Sequence, residues 1–186
     1  SIHHNNTMAN SSVGGIIVQG SMTVVTNTLI YNNLVYNNGI SPASAGGSGI
    51  EINVQTSGTR VWNNTVYGNK KYGIKVDGGS GTVNTVVQNN IIFANALGST
   101  VNYGSGSILD HNLAGDPKFV NAAVFDFRLQ AGSPAIDAGV NLYANGVTTD
   151  FAGRARPQTG PFEIGAYEPG GSTPPPCPAA VLLRRI

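Results

Sequence analysis

The sequence predicts an all-β fold: a short right-handed parallel β-helix, a solenoid of about four coils with a C-terminal cap. Three observations predict it. Asparagine doublets recur at Asn5-Asn6, Asn32-Asn33, Asn63-Asn64 and Asn89-Asn90, with a degenerate copy at His111-Asn112, in steps of 27, 31, 26 and 22 residues. Apolar residues keep fixed offsets from each doublet. Two before its first member stand Ile30, Val61, Val87 and Leu109; three after it stand Met8, Val35, Val66, Ile92 and Ala114. A Gly-Ile-x-Val/Ile motif precedes most doublets, at residues 15–18, 49–52 and 73–76, with a worn copy at 98–102. Alternation of period two inside each motif is the mark of a strand with one buried face, and no helical period competes with it.

Each element follows from this pattern. The repeat of about 25 residues holds three short strands, stacked on their equivalents one coil away at about 4.8 Å. Segment 1–10 reads as the last part of a coil, and residues 41–48 ("SPASAGGS") as a loop insertion that lengthens one step. The doublets read as architecture. Asparagine accepts the left-handed conformation of a sharp turn, and its amide can bond the asparagine of the next coil. The chain has 21 asparagines and 25 glycines, which suits a fold made of tight turns. Its coils span 1–112, its helix end and cap 113–168, and a Pro/Gly-rich tail, expected to be disordered, 169–186.

Composition narrows the function classes. Only 10% of the 186 residues are charged and the net charge is +1, so no basic field recruits nucleic acid. No apolar run of about 18 residues offers a membrane span. The single cysteine, Cys177, permits neither an intrachain disulfide nor a cysteine-based metal site. The chain opens abruptly, as a mature form or a fragment would. The bare first coil suggests a homodimer formed head to head through the open N-terminal end.

From residue 113 the pattern changes to "GDPKFV", "DFRLQAGSPAIDAG", "TTDFAGRARP" and "FEIGAYE". These motifs resemble the C-terminal end of secreted bacterial β-helix proteins of the pectate-lyase-like superfamily, of the choice-of-anchor Q type. The resemblance covers 113–168 in detail and 13–112 as generic coils. It implies a secreted or cell-surface location and, for the outward face of the Gly-Ile-x-Val sheet, a part in a substrate groove. The apolar residues of 113–168, among them Phe119, Phe125, Phe127, Phe151, Phe162 and Tyr167, are expected to cover the last coil. Arg154 and Arg156 are expected to pair with Asp137, Asp150, Glu163 and Glu168.

Charge in the coils is scarce and local. Glu51, Arg60, Lys70, Lys71, Lys75 and Asp77 lie within two coils, with only Asp110 elsewhere. Aligning the motifs gives two outward rows, Ile17–Glu51–Lys75–Thr100 and Gln19–Asn53–Asp77–Asn102. The candidate catalytic residues are Glu51, Lys75, Asp77, Lys71 and Lys70. Asn53, Asn102, Arg60, Trp62 and Tyr67 are candidate substrate contacts. Two chemistries fit, with a polysaccharide or oligosaccharide as partner. In a lyase, Lys75 or Lys71 removes the proton α to a uronate carboxyl, and Ca²⁺ on Asp77 and Glu51 is a candidate cofactor. In a hydrolase, Glu51 and Asp77 are acid and base, their backbones about 8 Å apart, one coil across and two residues along. A solvated ion-pair cluster, or a non-catalytic glycan-binding or adhesion module, fits the same residues. The row Tyr36, Tyr67, Phe93, with Tyr31 and Trp62, serves either sugar stacking or the stacking of coil on coil. His3, His4 and His111 lack metal-ligand spacing.

Overall fold

The computed structural model describes residues 1–41, 46–158 and 160–169. The centre of the expected insertion and the tail from residue 170 onward, with Cys177, lie outside them. The coils are those the repeat predicts. A first parallel sheet stacks Ile2–His4, Leu29–Tyr31, Arg60–Trp62, Val86–Gln88 and Ile108–Asp110. A second stacks Thr7–Ala9, Leu34–Tyr36, Thr65–Tyr67 and Ile91–Phe93. The third stacks Ile16–Val18, Ile50–Ile52, Tyr72–Val76 and Gly98–Asn102. A narrower fourth rib, Val25–Thr26 on Thr56–Ser57, continues as single bridges through Val83 and Ser105. The sequence repeat implies three strands per coil and carries no mark of this rib.

The apolar offsets face inward. Ile30, Val61 and Val87 align on the first sheet, Met8, Val35, Val66 and Ile92 on the second, and Ile50 and Ile74 on the third. Together with Ile16, Val18, Ile52 and Val76 they form one continuous core.

The two members of each doublet do different work. The first sits in the left-handed region, at φ 53° for Asn5, 52° for Asn32, 49° for Asn63 and 57° for Asn89, and turns the chain from first sheet to second. The second points into the solenoid. There Asn33 donates from Nδ2 to Oδ1 of Asn64, Asn64 to Asn90 and Asn90 to Asn112, each at 2.9 Å. The backbone N–H of each donor bonds the same oxygen at 3.0 Å. Asn64 also donates to the carbonyl of Ile30. Every donor and acceptor of Asn64 is therefore paired inside a dry core, as burial of an amide demands. A second ladder, at the corner between second and third sheets, runs Asn38–Asn69–Asn95, again at 2.9 Å.

That second ladder explains the glycine of the Gly-Ile-x-Val motif. A Cβ on Gly49 would lie 2.4 Å from Val66 and 2.8 Å from Nδ2 of Asn69; on Gly73 it would lie 2.1 Å from Ile92 and 2.7 Å from Nδ2 of Asn95. The corner closes only around a residue without a side chain.

Leu113 adds the last rung of the second sheet, on Ile91, but the residues after it do not cover the last coil. They lie along the flank of the solenoid, on the outward faces of the first two sheets, which corrects the end-cap expectation. The strand Ile108–Asp110 stays exposed. Phe119–Asn121 and Asp126–Leu129 pair antiparallel. Phe119, Phe125 and Phe127 from this part pack on Tyr36 and Tyr67 of the second sheet, with ring centroids 4.6 to 6.0 Å apart. The outward doublet asparagines bond the segment's backbone. Asn5 donates to Asp150, Asn32 to Thr149, Asn63 to Glu163 and Gly165, and Asn89 to Val140. Non-periodic apolar residues thus find a surface on the flank, where a row of side-chain amides supplies matching donors.

The expected salt bridges of this segment form in part. Arg156 is 1% exposed and lies 3.2 Å from Glu168. Arg154 instead donates to the carbonyls of Glu168 and Pro169. Asp150 accepts from the backbone N–H groups of Arg154 and Glu168. Burial, then the hydrogen bond and charge of Glu168, push the Glu163 carboxyl up to about 8.

Two predictions come from this arrangement. Asn64→Ala removes an amide and strands the Asn33 donors, so it should lower the unfolding free energy by about 2–3 kcal/mol. Asn10→Gly, at an exposed left-handed turn, should change it by a few tenths, roughly the cost of a relaxed turn residue; urea denaturation reads both. The second concerns pH. Glu163 keeps its proton in the fold up to about 8, against 4.5 ordinarily. Its contribution is therefore full in acid, falls as pH rises toward about 8, and is flat beyond. Melting curves of Glu163→Gln should lack that part of the decline seen in the parent chain.

Candidate functional site

The third sheet carries the charged residues on its outer face. Register puts Ile17, Glu51, Lys75 and Val101 in one row. The next outward residues, two positions further along, give the second row, Gln19, Asn53, Asp77 and Tyr103. Its backbone bonds confirm the order: Asn53 N–H to Val18, Asp77 to Ile52 and Tyr103 to Val76. The expected neighbours in the last coil were Thr100 and Asn102. Thr100 instead aligns with the inward Ile74 and Asn102 with the inward Val76. The reason is one residue of slip, because Gly98 pairs with Tyr72 and not with Gly73.

Lys75 Nζ lies 3.2 Å from Asp77 Oδ2, with the two side chains 32% and 35% exposed. Lys70 and Lys71 form the corner that feeds this strand, tied by backbone bonds to Asn38 and Gly47. Lys70 is exposed and Lys71 half-buried. Glu51, directly beside Lys75 in register, is only 6% exposed, and its Oε1 accepts from the Ser48 N–H at 3.1 Å. Asn53 donates to Gln19 at 3.4 Å. Lys75, Asp77 and Asn53 therefore share one face, Glu51 is buried beside Lys75, and Lys70 and Lys71 stand at the corner before it.

The other candidates stand elsewhere. Arg60 belongs to the first sheet and donates from Nη1 to the carbonyls of Gly58 and Asn84. Trp62 is 6% exposed, packed with Leu142, Val147 and Phe162. Tyr67 packs with Phe93, Phe119 and Phe127. Asn102 lies one position off the Asp77 row. The aromatic row is a seat for residues 113–168, and this part of the chain covers the rings that sugar stacking would need.

Calcium requires several converging oxygens. Among the described residues no group of three or more His, Cys, Asp or Glu is gathered. Ser48 holds one oxygen of Glu51 and Lys75 one of Asp77. The residues do not fit a calcium site of this kind, and no step is derived through the ion.

Two features escaped the sequence reading. Tyr103, 64% exposed, ends the Asp77 row. At the open end of the last coil, a depression of about 320 Å³ is lined by residues that include Thr100, Leu109, Asp110 and His111. There His111 Nδ1 lies 2.8 Å from Asp110, whose hydrogen bond to His111 holds its carboxyl below the usual range. The correct alignment of Gly98 would have exposed Tyr103. Nothing periodic marks the Asp110–His111 contact.

With coils, ladders and rows described, the class is plain: the chain belongs to the right-handed β-helix family, whose model matches residues 1–153 under the description "right handed beta helix region". It is also similar to the crystal structure of pectate lyase Pel9A, with a TM-score of 0.52 and 20% identity. The match covers 88% of this chain and 50% of that one, so the chain spans about half of the lyase's length. No curated protein sequence matches the chain. Likeness at this identity establishes the fold, and no helix among the described residues is long and apolar enough to cross a membrane.

Burial of Trp62, the one tryptophan, makes it a reporter of the flank. Its emission should be blue-shifted, resist acrylamide quenching, and stay unchanged when acidic or neutral oligosaccharides are added.

Proposed function

We propose that the chain is a secreted or surface carbohydrate-active protein, a polysaccharide lyase acting on a uronate-containing glycan laid over the third sheet. The observation that carries this is the Lys75–Asp77 pair on the outer face of the third sheet, with Lys70 and Lys71 in the corner that feeds the same strand, in coils otherwise poor in charge. The fold likeness to a pectate lyase supports it. In β-elimination a base takes the proton on the carbon α to the carboxylate. The electron pair forms the C4–C5 double bond, the C4–O4 bond breaks, and O4 leaves with the bonding pair and takes a proton from solvent. Lys75 or Lys71 supplies the base, and the remaining ammonium groups hold the carboxylate and offset the charge that develops on it. The hydrolase alternative asks Glu51 to act beside Asp77. Glu51's burial and its bond to Ser48 weigh against that role.

A second reading, a non-catalytic polysaccharide-binding or adhesion module, is favoured by the Lys75–Asp77 contact, which commits both groups to each other. Incubation with uronans, followed by the ultraviolet absorbance of the unsaturated product, tests the first. Lys75→Ala should reduce turnover by at least about 100-fold, the usual scale for an acid–base group. Asp77→Ala should also reduce it. Full turnover in both variants removes this face from catalysis; binding without turnover by the parent chain supports the second reading.

A further inference from the structure

We propose that Tyr103 is a sugar-stacking platform, and that it fixes one end of a glycan track running across the strands over Asp77, Asn53 and Gln19. The inference rests on the glycan reading above and adds to it a residue and a direction.

The register makes the track. Tyr103, Asp77, Asn53 and Gln19 occupy one outward row on four successive coils, joined by the backbone bonds of Tyr103 to Val76, Asp77 to Ile52 and Asn53 to Val18. Neighbours in that row stand about 4.8 Å apart, one strand spacing. A pyranose ring resting on Tyr103 therefore has its next unit over the Lys75–Asp77 pair. A further unit reaches Asn53 and Gln19, whose amides can bond hydroxyl groups. A glycan aligned with the strands would meet only one of these residues.

The ring itself is available. Tyr103 is 64% exposed, while Tyr31, Tyr36, Tyr67, Phe93, Phe119, Phe125 and Phe127 all stack on or edge another ring. No ring contact of that kind involves Tyr103 among the described residues. The ground beside it is bare for a physical reason. A side chain on Gly78 would come within 2.6 Å of the Tyr103 Cβ, and one on Gly79 within 2.3 Å of Val54. Packing of the coils thus keeps this strip free of side chains. The apolar C–H face of a sugar meets the negative face of the phenol ring favourably, and Tyr103 supplies such a face one coil from the only lysine–aspartate ion pair among the described residues.

Titration calorimetry with a uronate hexamer and a neutral β-linked hexamer provides the test. Tyr103→Ala should weaken binding of whichever hexamer the parent chain takes by about tenfold. Tyr103→Phe and Tyr103→Trp should keep it, since stacking needs the ring and not the hydroxyl. Thermal melts of all three should match the parent because the side chain is exposed. Binding in Tyr103→Ala equal to the parent overturns the platform and leaves the glycan reading standing. A parent chain that binds neither hexamer overturns both. Loss in Tyr103→Phe as large as in Tyr103→Ala overturns stacking in favour of a hydroxyl contact.

Discussion

The buried amide ladder is the constraint on which the structure depends. A solenoid of three-residue strands has little apolar surface per coil, and its corners bury backbone groups where no strand can pair them. Asn33, Asn64 and Asn90 resolve this by bonding the coil before and the coil after, and Asn33 and Asn90 also bond their own turn. Each net bond contributes about 1 kcal/mol, but leaving such a group unpaired costs more. The ladder also fixes register. A coil shifted by one residue would move the amide out of line and turn its apolar residues to solvent.

The same doublet that builds the coils receives the rest of the chain. Because the first asparagine must adopt the left-handed turn, its side chain is directed away from the core. Coil stacking then produces a column of outward amides at regular spacing. Residues 113–168 use that column, bonding it with backbone carbonyls from Val140 to Gly165. They place their phenylalanines between the outward tyrosines of the second sheet. The flank therefore belongs to architecture, and this segment's ring and amide contacts fall on the first two sheets, away from the third-sheet face proposed above for a glycan.

What the sequence made legible follows from periodicity. The coils, their inward offsets and the structural nature of the doublets could be read because each was repeated four times. The division of labour inside a doublet could not, since both positions need a residue tolerant of turns and rich in amide groups. The second ladder stood in plain view at Asn38, Asn69 and Asn95, yet Asn37, Gly68 and Ala94 vary before it and hide the motif. Lateral docking of 113–168 depends on contacts about a hundred residues apart, such as Asn63 with Glu163, which no local pattern encodes. In the candidate site, the alignment anticipated Glu51 beside Lys75 and Asn53 beside Asp77, but not the Lys75–Asp77 contact, which runs between the two rows. The burial of Glu51 was not anticipated either, because it rests on the backbone N–H of Ser48. The exchange of Asn102 for Tyr103 came from a single glycine, Gly98, that looked like the motif's first residue and stands one place earlier.

The inward amides, and not the doublets as such, hold the coils together. Hydrogen exchange at the side-chain amides, followed by NMR, tests this. The Nδ2 protons of Asn33, Asn64 and Asn90 should exchange only through global unfolding, and far more slowly than those of the exposed Asn10. Inward amides that exchange as fast as Asn10 under native conditions would contradict it.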